Sequence, residues 1–107
     1  MIIISKHIIP DKFVGLTIFP FIFLKNKDLK GNRTLVNHEK IHLKQQLELL
    51  WVPFFLWYSV EFLIKLIIYK NWHEAYRNIS FEKEAYQNES NFNYLNQRKL
   101  FAFLKLL

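Results

Sequence analysis

The sequence predicts a single α+β domain that is mostly helical. It would carry a short N-terminal β-hairpin or small sheet and, in its middle, a long apolar helix that is kinked or divided into a helix pair. Three observations lead to this prediction: residues 1–25 are rich in β-branched and aromatic types, residues 34–70 hold long apolar runs, and two shorter helical patterns follow. No repeat, linker or low-complexity stretch divides the chain, so residues 1–107 form one domain.

The β element covers residues 1–25, where two or three short strands are expected, with the first turn at Pro10, Asp11 and Lys12. Pro20 interrupts the second apolar run, and proline is best tolerated on an edge strand or at a bulge. We therefore expect an edge strand composed of Phe21, Ile22, Phe23 and Leu24. Core packing is the favoured role for this strand, and pairing with an extended peptide substrate is the alternative.

A helix is predicted to begin at Thr34, which stands where an N-cap residue should, ahead of an apolar-periodic segment. Its apolar stripe consists of Leu43, Leu47 and Leu50 at i, i+4 and i+7, while Gln45 and Glu48 face elsewhere.

Apolar residues then occupy nearly every side of the segment that ends at Tyr69. Its length could cross a hydrocarbon core of about 30 Å, although Pro53 would kink or restart the helix. Glu61 and Lys65 stand at the i, i+4 spacing that favours an ion pair. We expect membrane association, spanning or interfacial. The cytoplasmic side is favoured because the N-terminus lacks a removable signal. A soluble cytoplasmic helix hairpin is the alternative.

Residues 72–97 predict a short helix over 72–77, a turn at 78–80, and a further helix with Ser80 as its N-cap. The tail, residues 98–107, alternates basic and apolar residues and is expected to be an amphipathic cover or a membrane contact.

Charge and composition narrow the function classes. The net charge of +6 permits an anionic membrane surface or nucleic acid as a partner, but no dense basic cluster interleaves with aromatic residues, so no nucleic-acid partner is expected. The absence of cysteine excludes disulfides, thiolate zinc sites and a thiol nucleophile. Two glycines cannot build a phosphate-binding loop.

The most informative motif is H-E-x-x-H at residues 38–42. On a helix, His38 and His42 lie one turn apart on one face, so both imidazoles can reach a single ion. Two histidines in this arrangement bind Zn²⁺, and Glu39 can act as the base for its water. The motif therefore predicts a zinc site.

Such a site needs a third protein ligand, for which a carboxylate is the obvious choice. Glu82 is favoured because it shares a helix face with the small Ala85, which allows close approach to the motif helix. Glu84 points roughly the opposite way and is the second choice.

The combination of His38-Glu39-x-x-His42 with Glu82-x-x-Ala85 resembles the gluzincin pattern, as in membrane zincins of the HtpX and CAAX prenyl protease type. The resemblance implies a minimal zincin-like domain in which His38, His42 and Glu82 bind Zn²⁺ and Glu39 serves as general base and acid. Relatives usually carry an acidic residue where this chain has Tyr86. The hydroxyl of Tyr86 could make the same supporting hydrogen bond.

The resulting hypothesis is a zinc metallopeptidase that hydrolyses a peptide or protein substrate. Such a reaction also needs a hydrogen-bond donor to the oxyanion that forms on the scissile carbonyl. The candidates, chosen because they lie near Glu82 in the sequence, are His73, Tyr76, Arg77 and Tyr86. The alternative is a non-catalytic membrane or interaction protein with a structural or vestigial metal site. A basic nucleic-acid-binding domain is the third possibility, and it predicts salt-dependent binding.

Overall fold

A computed structural model describes residues 1–10 and 13–107. It has the predicted α+β architecture, with a small three-stranded sheet and five α-helices among the described residues. The turn predicted at Pro10, Asp11 and Lys12 lies partly outside the described residues. The strands and helices are β1 (Ile2–Ile4), β2 (Gly15–Ile18), β3 (Phe21–Leu24), α1 (Arg33–Leu49), α2 (Trp51–Tyr69), α3 (Trp72–Arg77), α4 (Ser80–Asn88) and α5 (Tyr94–Gln97).

The sheet has the strand order β1-β3-β2, so β3 is the central strand and the prediction of an edge strand at Phe21, Ile22, Phe23 and Leu24 is wrong. β1 runs parallel to β3, and β2 runs antiparallel to it. Pro20 lies in the tight turn before β3, where its missing N–H interrupts no ladder hydrogen bond. Among the described strands, β2 forms an edge.

The helix α1 begins one residue before the predicted cap. Asn32 is the N-cap, and its side-chain oxygen accepts the N–H of Leu35 at 3.1 Å, so the prediction of Thr34 as the cap is wrong. Both residue types cap well, and the sequence alone did not separate them.

The predicted apolar stripe of α1 is also wrong, because Leu47 and Leu50 are 50% and 69% exposed. The buried face is polar instead, and it consists of Asn37, His38, Glu39, Ile41, His42, Gln45 and Gln46. Gln46 binds this face to β2, since its amide donates to the carbonyl of Thr17 at 2.7 Å and accepts the N–H of Phe19 at 2.6 Å. Polar side chains therefore hold α1 against the sheet.

A break at Leu50, with φ of 63°, separates α1 from α2 and confirms the predicted helix pair. Pro53 lies in the first turn of α2, where its missing N–H disrupts no helical hydrogen bond. By length and composition α2 could cross a membrane, with a mean hydropathy of 1.6, and only 11% of its apolar window is buried.

The core forms where α2, α4 and the tail meet. Its buried members are Phe54, Ile79, Phe81 and Phe103. The rings of Phe81 and Phe103 lie 4.5 Å apart, so the tail covers this core.

Glu61 of α2 anchors the start of α4. Its carboxylate accepts hydrogen bonds from the Ser80 backbone N–H at 2.7 Å, from the Ser80 hydroxyl and from the Trp57 indole. Ser80 is thus the first residue of α4 rather than its N-cap, which is Ile79. These hydrogen bonds take the place of the predicted pairing of Glu61 with Lys65. They fix the first residue of α4, Ser80, which lies two residues before Glu82.

Candidate metal centre

Three side chains converge between α1 and α4. The Nε2 atoms of His38 and His42 lie 3.2 Å apart, and Oε1 of Glu82 lies 3.4 Å from the first and 3.0 Å from the second. All three side chains are buried. Among the described residues, His38, His42 and Glu82 are the three histidine and carboxylate side chains placed close enough together to hold one metal ion. We call them the triangle.

The triangle has the size that a tetrahedral ion requires. Zn²⁺ binds nitrogen and oxygen at about 2.0–2.1 Å, and two ligands of a tetrahedron are then about 3.3 Å apart. The three measured separations, 3.0, 3.2 and 3.4 Å, bracket that value. Two neutral imidazoles and a carboxylate also form a donor set that zinc accepts, so the residues fit the ion.

His42 is oriented by a chain of hydrogen bonds. The Gln45 amide nitrogen donates to the Phe81 carbonyl at 3.2 Å and to the Glu84 carboxylate at 2.9 Å, so the amide oxygen must face His42. That oxygen lies 2.8 Å from Nδ1 of His42 and accepts its hydrogen. The other ring nitrogen, Nε2, therefore faces the triangle, where an ion could replace its proton.

The second choice for the third ligand, Glu84, belongs to this supporting chain and not to the triangle. Its carboxylate binds Gln45, the Tyr94 hydroxyl at 2.7 Å and the Arg98 guanidinium. Arg98 also binds Glu48 with two hydrogen bonds of 2.6 and 3.0 Å. The geometry thus separates Glu82 from Glu84.

His38 has a carboxylate partner on its outer nitrogen. Nδ1 of His38 lies 3.0 Å from Oε2 of Glu89, at the end of α4. This is the support that the sequence analysis assigned to Tyr86, whose ring instead packs edge-on against His38 with centroids 4.5 Å apart. The signal that could have found Glu89 is its position two helical turns after Glu82.

The other oxygen of Glu82 is held by a residue that the sequence analysis missed. The Tyr58 hydroxyl donates a hydrogen bond of 2.6 Å to Oε2 of Glu82. Tyr58 belongs to the long apolar segment, and no pattern in the sequence distinguished it from the neighbouring aromatic residues.

The charges of the triangle depend on one another. Burial lowers the pKa of His42, but the charge of Glu82 and the hydrogen bond to it outweigh burial, and the pKa rises to about 9. Burial raises the pKa of Glu82, yet the two histidines hold it well below its usual range. The triangle thus favours an anionic carboxylate that faces a cation, which is the arrangement a metal ion would complete.

The side chain of Glu39, a residue of α1, lies against β2. The Thr17 hydroxyl is 2.8 Å from Oε1 of Glu39 and 3.0 Å from its carbonyl oxygen. A Cβ atom on Gly15 would stand 3.1 Å from Oε2. The strand therefore fixes where the carboxylate of Glu39 can lie.

A cavity of about 310 Å³ opens beside the triangle, and we call it the aromatic cavity. Its lining includes Glu39, His38, His42 and Glu82. The other lining residues are Pro10, Phe13, Gly15, Leu16, Thr17, Gln46, Phe54, Phe55, Tyr58, Phe62, Trp72 and Tyr76. A mostly apolar cavity with a few polar groups in its lining is typical of a site for an organic ligand.

Only one of the four predicted oxyanion donors, Tyr76, lines this cavity. Its hydroxyl lies 3.1 Å from that of Tyr86, and burial together with the charge of Glu82 raises its pKa, so the phenol keeps its proton. His73 is exposed on α3, and the Arg77 guanidinium lies 3.8 Å above the Tyr86 ring. Among the described residues, Tyr58 joins Tyr76 as a hydroxyl donor beside the triangle.

Comparison of the chain with known protein families, with curated proteins and with solved structures found no match.

Proposed function

We propose that this protein is a zinc-dependent hydrolase that cleaves peptide bonds, a minimal relative in chemistry of the gluzincins that its motif resembles. The observation that carries the proposal is the convergence of His38, His42 and Glu82 at separations suited to a tetrahedral ion. Glu39 and an apolar cavity at the same place supply the two further parts that such a reaction needs.

The chain's own groups divide the work. His38, His42 and Glu82 would hold Zn²⁺, which when bound supplies a water of lowered pKa and polarises the scissile carbonyl. Glu39 accepts a proton from the attacking water and delivers it to the leaving amine. Its carboxylate is suited to this role because the Thr17 hydroxyl and the space beside Gly15 fix its position.

The tyrosine hydroxyls supply donors for the developing oxyanion. Tyr58 and Tyr76 line the aromatic cavity, and neutral phenols are donors at pH 7. Tyr76 takes this role in the proposal, because its hydroxyl is bonded to the neutral hydroxyl of Tyr86, whereas the Tyr58 hydroxyl donates to the charged carboxylate of Glu82.

The substrate would lie along β2. Gly15, Leu16 and Thr17 of this strand line the aromatic cavity, and β2 is an edge of the sheet. An extended peptide can add to such an edge through backbone hydrogen bonds. Because Gln46 already bonds the Thr17 carbonyl and the Phe19 N–H, the peptide would pair with the part of the strand nearer Gly15. β2 thereby takes the role that the sequence analysis considered for Phe21–Leu24.

The experiment compares the zinc-loaded protein with Glu39→Gln and His42→Ala, using a mixture of fluorogenic peptides and metal analysis. Glu39→Gln should keep one zinc ion and lose cleavage by at least about a hundredfold. His42→Ala should lose both zinc and cleavage. Glu74→Gln, an exposed glutamate on α3, is the matched control and should behave as wild type.

Two outcomes would overturn the proposal. One is a wild-type protein that binds zinc yet cleaves none of the peptides. The other is a Glu39→Gln variant as active as wild type, because the cleavage would then come from another protein.

The exposed face of α2 favours membrane attachment as the setting for this activity. Its outward residues include Leu56, Val60, Leu63, Ile64, Ile67 and Ile68, each about half exposed or more. A net charge of +6 adds attraction to an anionic surface. Cytoplasmic-face association, spanning or interfacial, is the form that we propose.

The same face supports the second candidate function, a non-catalytic membrane or interaction protein with a structural metal site. Flotation with anionic vesicles tests the attachment itself. Ile67→Lys together with Leu63→Lys should abolish flotation, and the matched pair Gln87→Lys and Asn96→Lys, at two exposed polar positions, should not. Zinc binding and flotation without any peptide cleavage would favour the second function.

A further inference from the structure

Tyr58 is the least expected neighbour of the metal centre, because it comes from the apolar helix α2. Its hydroxyl donates to Oε2 of Glu82 at 2.6 Å, while Oε1 of the same carboxylate faces the two imidazole nitrogens. The two oxygens of Glu82 therefore have different partners.

This difference determines how the carboxylate can bind an ion. A glutamate binds a cation through one oxygen or through both. The hydrogen bond from Tyr58 engages Oε2 and holds the carboxylate plane so that Oε1 faces the histidines. Binding through Oε1 alone leaves a fourth position for water, and binding through both oxygens would crowd that position.

We propose that Tyr58 is a positioning residue that keeps Glu82 a one-oxygen ligand and so keeps the fourth metal position open. The inference rests on the proposed metal site and goes beyond it, because it assigns the openness of the site to a residue outside the motif. Hydrogen bonds of this kind tune metal affinity and ligand orientation in many metal sites.

Phenylalanine in place of Tyr58 would remove the hydroxyl and keep the packing. The Tyr58 ring lies parallel to that of Phe81 with centroids 6.2 Å apart, and it lies 5.9 Å from the Phe54 ring. A phenylalanine ring makes the same contacts. The variant Tyr58→Phe therefore isolates the hydrogen bond from the fold.

The matched control is Tyr69→Phe. It removes a phenol hydroxyl from the same helix, α2, at an exposed side chain that belongs neither to the triangle nor to the lining of the aromatic cavity. Circular dichroism and thermal melting of both variants establish that they fold.

The probe is Co²⁺, whose visible absorption reports coordination number, because tetrahedral sites absorb more strongly than five-coordinate ones. Wild type and Tyr69→Phe should show the strong absorption of a four-coordinate ion. Tyr58→Phe should still bind Co²⁺, and its absorption should fall severalfold.

Three results would overturn the inference. The first is a Tyr58→Phe spectrum that matches wild type, and the second is a variant that no longer binds Co²⁺, since Tyr58 would then contribute affinity and not geometry. The third is a wild-type protein that binds no Co²⁺, which would overturn the metal site as well. Binding of Co²⁺ without peptide cleavage would count against the proposed hydrolase alone, and the two spectra would still decide the role of Tyr58.

Discussion

A methyl group on Gly15 would stand 3.1 Å from Oε2 of Glu39, closer than nearly all real Cβ contacts. The strand and the motif helix therefore meet at a glycine, and a larger residue there would require the carboxylate to move. Gly15→Ala should displace Glu39 by a few tenths of an ångström or more and lower turnover about tenfold to a hundredfold, because catalytic groups tolerate little displacement. Zinc content should not change.

Peptide turnover and metal analysis of the same preparation check this prediction. Gly31→Ala is the matched control, since a Cβ atom there would meet no atom within 4 Å. Wild-type turnover in Gly15→Ala would show that Glu39 does not depend on this contact.

Glu84 should matter for zinc affinity although it is not in the ligand triangle. Glu84→Gln replaces an acceptor-only carboxylate by an amide, so the Gln45 side chain can turn over and present its nitrogen to His42. Zinc affinity should fall about 10- to 100-fold, as for other residues that orient metal ligands. Competition with a chromophoric chelator measures this, and Glu82→Gln should cost considerably more. An equal loss of zinc affinity in the two variants would contradict the assignment of Glu82 as a ligand and of Glu84 as a residue that orients one.

Arg98 should be important for stability. Its side chain is buried against Glu48 and Glu84, and its replacement by leucine would leave two buried carboxylates without the cation that neutralises them. Removing one partner of a buried pair typically costs about 3–5 kcal/mol in the free energy of unfolding. Urea unfolding of Arg98→Leu in the presence of a chelator should show a loss of this order.

Lys99→Leu is the control for Arg98→Leu, because it makes a similar change at the next, exposed position. It should change the free energy of unfolding by less than about 0.5 kcal/mol. A similar effect of the two substitutions would mean that the buried network adds little.

The stability of the metal-free protein should fall with rising pH above neutrality. The pKa of His42 is about 9 in the folded protein against 6.5 in the unfolded chain, so folding favours the protonated imidazole. This contribution is fully present below about pH 6.5 and is lost as the pH rises through 9. Melting temperatures in a chelator should decline over that window.

Excess zinc should reverse this trend, because the ion binds the neutral imidazole and competes with the proton. The difference between the melting temperatures with zinc and with chelator should therefore grow from pH 6.5 to 9. His42→Gln should remove most of the pH dependence in chelator. A variant with unchanged dependence would assign the titration to another group.

The meeting of His38 and His42 with Glu82 was expected because the H-E-x-x-H motif needs a third ligand and because the pattern with Ala85 resembles that of the gluzincins. The sequence also predicted the α+β class, the helix pair and the helix over residues 72–77, because each depends on local patterns. The predictions from the sequence were wrong where the position of an element depends on contacts between distant segments. β1 returns to pair with β3 and makes that strand central, and no local pattern encodes this pairing.

The polar buried face of α1 shows the second kind of failure. Apolar periodicity assigned Leu47 to the predicted stripe and Gln45 to another face, whereas the structure buries Gln45 and exposes Leu47. The buried side of α1 carries the His38, His42 and Glu82 cluster and its hydrogen bonds, so the usual relation between polarity and exposure does not hold there. Tyr58 and Glu89 were missed for the same reason, since their roles arise only once the chain is folded.

The buried link from Arg98 through Glu84 and Gln45 to His42 also has a consequence for biosynthesis. Arg98 follows the three proposed ligands in the sequence, so an incomplete chain that ends before residue 98 would keep the ligands and lack the group that orients one of them. Under the proposed zinc site, such a chain would exchange its ion readily.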